Sequence, residues 1–236
     1  MGHSPARTRA RILEAALAEF RDRGYERAGL RRIAAAARVT TGAVYNHFGS
    51  KEGLFDALVG ESAAELVAAW TAGRDGDAGT PPADMPADRT GRSADRTAAF
   101  SADRTGRSAD RTAAFSADRT GRILDLVYSR VEIFELLLCR ARGTGYERLP
   151  EQLARIEAEA YRRLPGITDS AADRLLVRTL AASGVEALRA ALEHRLTRPE
   201  ARRYMERIAR FRLAGWAGLL GPTPASEPAP ETGDRP

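Results

Sequence analysis

GLRRIAAAARVTTGAVYNHFGSKEGLF, residues 29–55, is the stretch that decides the fold. Leu30, Ile33, Ala34 and Ala37 recur at i, i+3, i+4 and i+7, the spacing that gives a short helix one apolar face. Arg38 and Val39 interrupt that helix. Thr40 and Thr41 then offer hydroxyls to the free backbone N–H groups of a second helix, whose inner side carries Val44 and Phe48. Two short helices that meet across a turn of about three or four residues have the spacing of a helix-turn-helix. Gly42 and Ala43 keep the start of the second helix small, so its backbone can lie deep in a major groove about 12 Å wide. Tyr45, Asn46 and His47 reach outward toward phosphates or base edges, and Lys51 stands at the start of the next helix.

Working outward, Ser4-Pro5 is a cap followed by a first helical residue, and Ile12, Leu13, Ala16, Leu17 and Phe20 form one apolar stripe that ends at Arg23-Gly24. Arg7, Arg9 and Arg11 cluster near the start of that helix, where they either touch a phosphate backbone or are solvated. On the other side Ser50 caps a helix marked by Leu54, Phe55, Leu58, Val59, Ser62, Leu66 and Trp70, which fades at Thr71-Ala72-Gly73.

The run from Ile12 to Val59 resembles the N-terminal domain of the TetR/AcrR family of one-component transcriptional regulators. The resemblance covers about a fifth of the chain without a gap. It rests on the Gly24-Tyr25 turn, the I-A-x-x-A core from Ile33, the G-x-x-Y-x-x-F helix from Gly42 to Phe48, and S-K-E-x-L-F from Ser50. It implies that Thr40, Thr41, Gly42 and Ala43 face base edges and phosphates, and that Tyr45, His47 and Lys51 hold the backbone. Arg31 joins this set, with Asn46. Two positions depart from the family pattern. Gly29 stands where Ser or Thr is usual, a weaker cap. Arg38 stands where the turn usually has Gly, and a left-handed backbone there costs a non-Gly residue on the order of 1 kcal/mol.

No strand periodicity appears anywhere, so the chain reads as all-α. Ile123, Leu124, Val127, Tyr128, Val131, Phe134, Leu137 and Leu138 mark a largely buried helix that stops near Gly143. Leu149, Leu153, Ile156, Ala160, Tyr161 and Leu164 mark another, closed by Pro165-Gly166. Two long helices follow, one patterned from Leu175 to Leu196, the other opened by Pro199 and carrying Tyr204, Ile208, Phe211, Gly215, Leu219 and Leu220. Between the fourth helix and Ile123 the composition changes. Residues 73–86 are Gly, Pro and Asp linker, and ADRTGRSADRTAAFS at 87–101 recurs identically at 102–116, with ADRTGR opening a third copy at 117–122. Each unit offers one large apolar residue, Phe100 or Phe115, so the repeat builds no core of its own; it reads as disordered, or as frayed helix extending the next one. The expected organisation is a helix-turn-helix domain at 1–52, a helical ligand-binding and dimerisation domain at 53–221 with the repeat inserted at 73–122, and a disordered tail at 222–236.

Charge points the same way. The formal net charge is +5. Residues 1–60 hold ten basic against six acidic side chains and the repeat eight Arg against five Asp, so the remainder sums to about −2. A basic surplus on the helix-turn-helix end suits a polyphosphate partner. Lys51 is the one lysine beside thirty-six arginines. The single cysteine, Cys139, leaves no internal disulfide, and no signal peptide or 18-residue apolar run is visible, so a cytoplasmic location is expected, with no membrane partner. His3, His47 and His194 stand apart from one another and from any Cys or carboxylate pattern, so no metal and no cofactor is expected. No nucleophile with a base and no phosphate-cradling glycine run supports an enzyme.

Family resemblance implies that the last two helices pack against those of a second copy. Leu180, Ser183, Gly184, Ala187, Phe211, Gly215 and Leu219 are the candidate dimer contacts, although the same periodicity permits an intrachain core. For a small-molecule inducer, Tyr128, Phe134, Cys139, Tyr146, Glu157 and Tyr161 are the candidate pocket residues, with Glu157 either selecting a cationic ligand or facing water. The expected function is a homodimeric regulator, a repressor released from a palindromic double-stranded DNA operator by its ligand. The alternative is a constitutive or architectural DNA binder without a working pocket.

Overall fold

The computed structural model describes residues 4–72, 119–164 and 166–220, and among them every regular element is a helix. Helix α1 (Pro5–Arg27) starts on Pro5, but the Ser4 side chain makes no capping bond. The expected stop is real: Gly24 takes φ 71° and ψ 163°, a conformation essentially reserved for glycine, and one further turn runs on to Arg27. Helices α2 (Leu30–Ala36) and α3 (Thr41–Phe48) are joined by a turn in which Arg38 sits at φ 52°. This is the left-handed site the sequence placed there. The Arg38 and Val39 N–H groups close it by donating to the Ala35 and Ala34 carbonyls at 3.0 and 2.9 Å. The Thr40 hydroxyl caps α3 by accepting from Ala43 N at 3.2 Å, and the Ser50 hydroxyl caps α4 (Lys51–Thr71) by accepting from Gly53 N at 2.9 Å. Ile12, Ala16, Phe20, Ile33, Val44, Leu54 and Phe55 are buried between these four helices, with the Phe20 and Phe55 rings edge-on at 5.3 Å.

The second part is built from α5 (119–129), α6 (Val131–Cys139), α7 (Leu149–Tyr161), α8 (Ala171–Glu193) and α9 (Arg198–Leu220). Two sequence expectations change here. The helix read from Ile123 to Leu138 is two helices, because Arg130 leaves the helical region at φ −141°, ψ 51°. The residue on the break holds an ion pair with Glu65 on α4. The first long helix ends at Glu193 instead of running to Leu196, where Arg195 turns left-handed at φ 51°. Residues 119–122, assigned by sequence to the inserted repeat, belong to α5. The rest of the repeat, the linker at 73–86 and the tail at 222–236 lie outside the described residues.

The two parts share one apolar core running from Ile12 to Met205. Polar ties cross their boundary as well. Arg21 on α1 pairs with Glu132 and, at 3.4 Å, with the buried Glu135 of α6. Tyr25 N donates to the Arg140 carbonyl at 3.2 Å, so the end of α1 is fastened to the end of α6.

Candidate nucleic-acid interface

Helix α3 has one buried residue, Val44, at 1 % exposure; the rest of the helix is turned outward to varying degrees. Gly42, Tyr45 and Asn46 are exposed, Tyr45 at 51 %, while Thr41, Ala43 and His47 are half-buried. Thr40 is exposed, but its hydroxyl is committed to the cap, so its remaining lone pair and the free N–H groups of the first turn face outward with it. Arg31 on α2 is exposed as well. A polyanion approaching this face therefore meets a helix N-terminus, small side chains and one projecting phenol.

Lys51 is placed differently from the other candidates. Its ammonium donates to the Glu26 carbonyl at 3.3 Å and lies 4.4 Å from the centre of the Tyr25 ring. Burial there lowers its pKa below the ordinary lysine range, with Arg32 adding to the effect. In this conformation it braces the α1 end, and contact with a phosphate requires it to swing out. Arg11, which the sequence left between phosphate contact and solvation, donates to the carbonyls of Ala37 and Arg38. It holds the turn between α2 and α3. Arg9 lies over the Phe48 ring at 5.3 Å.

Gly53, the variable position in S-K-E-x-L-F, escaped the sequence reading. A Cβ at Gly53 would collide with the Phe48 carbonyl oxygen, backbone against backbone. The end of α3 is thus pressed onto the first turn of α4. A Gly in an N-terminal helical turn was the one visible signal.

The six candidate pocket residues do not converge. Phe134 is fully buried core. Tyr128 donates its hydroxyl to the Leu196 carbonyl at 2.9 Å, and Cys139 lies against Arg189, its thiol pushed up to about 12 by burial. Tyr146 donates to Asp56 at the start of α4, lining a cleft with Glu52, Phe55 and Thr144; burial and that hydrogen bond raise its phenol to about 12. Glu157 and Tyr161 do come together, with the Tyr161 hydroxyl donating to Glu157 Oε1 at 2.7 Å. Glu157 is buried at 6 % exposure and ion-paired to Arg212 of α9, which corrects both readings of it: it does not face water, and its charge is already taken by a cation of its own chain. Burial alone would raise its pKa; Arg212, Arg119 and the Tyr161 hydroxyl more than offset this and lower it.

Of the candidate dimer residues, Ser183, Phe211, Gly215 and Leu219 are exposed and Leu180 is half-buried. Gly184 and Ala187 are turned into their own chain: a Cβ on Gly184 would collide with the Arg212 guanidinium, and Ala187 is 5 % exposed in the core. Leu175, which the sequence grouped only with the helix pattern, is 64 % exposed.

Residues 12–58 match the family model described as bacterial regulatory proteins, tetR family. Among curated proteins, the chain is 45 % identical over 66 residues to the HTH-type transcriptional repressor AcnR of Corynebacterium glutamicum, covering 28 % of this chain and 35 % of that one. It is 44 % identical over 55 residues to the A-factor receptor protein of Streptomyces griseus, covering 23 % of this chain and 20 % of that protein. The match thus spans about a third or less of these relatives. Among solved structures, a TetR-like transcriptional regulator from Rhodococcus sp. RHA1 superposes with a TM-score of 0.50 at 19 % identity, covering 94 % of this chain and 100 % of the other. A tetR-family regulator from Streptomyces coelicolor superposes with a TM-score of 0.50 at 17 % identity, covering 92 % and 84 %. These two likenesses show the all-helical fold.

Proposed function

We propose, from the match of residues 12–58 to the tetR family model, that the chain is a DNA-binding transcriptional regulator, a homodimeric repressor that a small ligand releases from a palindromic operator. The observation that carries this reading is the exposed face of α3, whose capped N-terminus, Thr41, Gly42, Tyr45 and Asn46 are presented together while Val44 anchors the helix from behind. Thr41 and Ala43 read base edges, whereas Tyr45, Arg31 and a swung-out Lys51 hold phosphates. Two such faces, one from each copy, engage successive major grooves about 34–36 Å apart. Exposed Leu175, Phe211 and Leu219 supply the surface through which the copies join. Ligand binding in the second part shifts the population toward a spacing of the two α3 helices that no longer matches the grooves, with α4 carrying the change.

Selection of bound fragments from genomic DNA with the purified protein, followed by a salt titration on the best site, tests this. A palindromic site bound with clear preference is the expected result. Binding without preference that collapses with salt would replace the reading with constitutive or architectural binding. The scattering of the six candidate pocket residues is the observation that favours this second reading.

A further inference from the structure

A buried carboxylate that faces more positive than negative charge lies where α4, α5, α7 and α9 meet. One carboxylate, Glu157, faces two guanidinium groups: Arg212, in direct ion pair with it, and Arg119 from the first turn of α5, at 3.5 Å. Tyr161 donates to Glu157 and accepts from Arg212. Burial holds its phenol above the ordinary tyrosine range, so it adds no second negative charge. Among the described residues the cluster is therefore one positive charge in surplus. It is also short of acceptors. Trp70 Nε1, Arg119 Nε and Arg212 Nε are buried without a hydrogen-bond partner, and Trp70 is only 4 % exposed. Native interiors rarely leave three such donors together unsatisfied.

These features belong to one place. Arg119 lies 5.4 Å from the Trp70 ring centre and donates to the Trp70 carbonyl at 3.1 Å, while the Tyr161 ring lies tilted against Trp216 at 4.7 Å. Arg119 and Arg212 keep 20 % and 18 % of their side chains in solvent, so the cluster lies just beneath the surface and not deep in the core. We propose that this cluster is the recognition site of a small ligand bearing a carboxylate, which accepts hydrogen bonds from Arg119, Arg212 and the Trp70 indole and supplies the missing negative charge. The surplus is a single charge, which suits a carboxylate better than a phosphate of up to two. An amine is repelled. Because Arg119 also donates to the Trp70 carbonyl near the end of α4, a ligand that draws on Arg119 acts at the far end of the helix that leads to α3. The site rests on the ligand-responsive reading above and names the chemistry of its ligand.

Both tryptophans of the chain flank the cluster, so intrinsic fluorescence reports on it directly. The full-length protein is titrated with acetate, hexanoate, benzoate and succinate, with hexylamine and hexanol as controls, and the titration is repeated on Arg119→Gln after circular dichroism has established its helical content. A saturable fluorescence change with at least one carboxylate, none with hexylamine, and affinity weakened about tenfold or more in Arg119→Gln is expected. Absence of saturation with every carboxylate, equal response to hexylamine, or unchanged affinity in the variant overturns the proposal. Gel shifts on the selected operator keep the two ideas apart. Carboxylate binding that leaves operator affinity unchanged upholds the anion site and defeats ligand release. Release by a ligand that leaves both tryptophans silent defeats the anion site alone.

Discussion

Tyr45 is the residue at which recognition is most easily tested, because half of its surface is free and no hydrogen-bond partner holds it among the described residues. Removing the ring costs α3 little buried contact, so Tyr45→Ala should leave the unfolding free energy within about 0.5 kcal/mol of the parent. Binding should weaken by a similar factor on every DNA sequence, as loss of a phosphate contact does. Substitution of Thr41 should instead change which sequences are preferred, read by fragment selection with each variant. Equal losses on all sequences for both would remove the distinction. Arg38 shows how far one residue type can be read in advance. The family pattern, with Gly usual at this position, raised a left-handed backbone as a condition, and it is seen at φ 52°. Lys51 shows the opposite. Its motif position suggested an open phosphate contact, but the seat it occupies, between the Tyr25 ring and the Glu26 carbonyl, depends on residues twenty-five positions away, which no local pattern encodes.

At the level of elements, the caps and short helices of the first part were legible because each is specified locally: a hydroxyl at position 40 or 50, apolar residues at i, i+3 and i+4, a glycine where the chain turns left-handed. The break at Arg130 was not legible, since hydrophobic periodicity carries straight across it. Arg119 and Arg212 were missed for a related reason. One lay in a repeat with no periodicity and the other between apolar positions of α9, and only packing brings both to Glu157. Two predictions belong here. Gly53→Ala should displace the end of α3 from α4, because backbone cannot yield to the new Cβ; operator binding should fall at least as steeply as for Tyr45→Ala, and thermal stability should fall with it. Glu157→Gln should destabilise by about 3–5 kcal/mol in urea unfolding, because it strands Arg212 and Arg119 without their counter-charge. The folded pKa of Glu157 is lowered, so its contribution is complete above the unfolded carboxyl value near about 4.3 and is lost as pH falls through the lower folded value. The parent should therefore lose stability in that acid window, and Glu157→Gln should lose less of it there.

For the whole molecule the decisive surface is the outer side of α8 and α9. Phe211 at 77 %, Leu175 at 64 % and Leu219 at 55 % exposure place large apolar groups on the surface of the described residues. Phe211→Glu should shift the sedimentation coefficient from dimer to monomer and reduce operator affinity through loss of the second reading head, while leaving helical content unchanged. A variant that stays dimeric would move the interface elsewhere. Among the described residues no helix is long and apolar enough to cross a membrane. The contact of Gly53 with the Phe48 carbonyl bears on how such a molecule tolerates variation in its target. With no slack between α3 and α4, the reading head has no wrist: it keeps its angle to the forearm that carries it. In the proposed dimer, adjustment to a site one base pair too long or too short must then come from flexing at the distant shoulder, where the two copies would meet, and its cost would be shared by both half-sites.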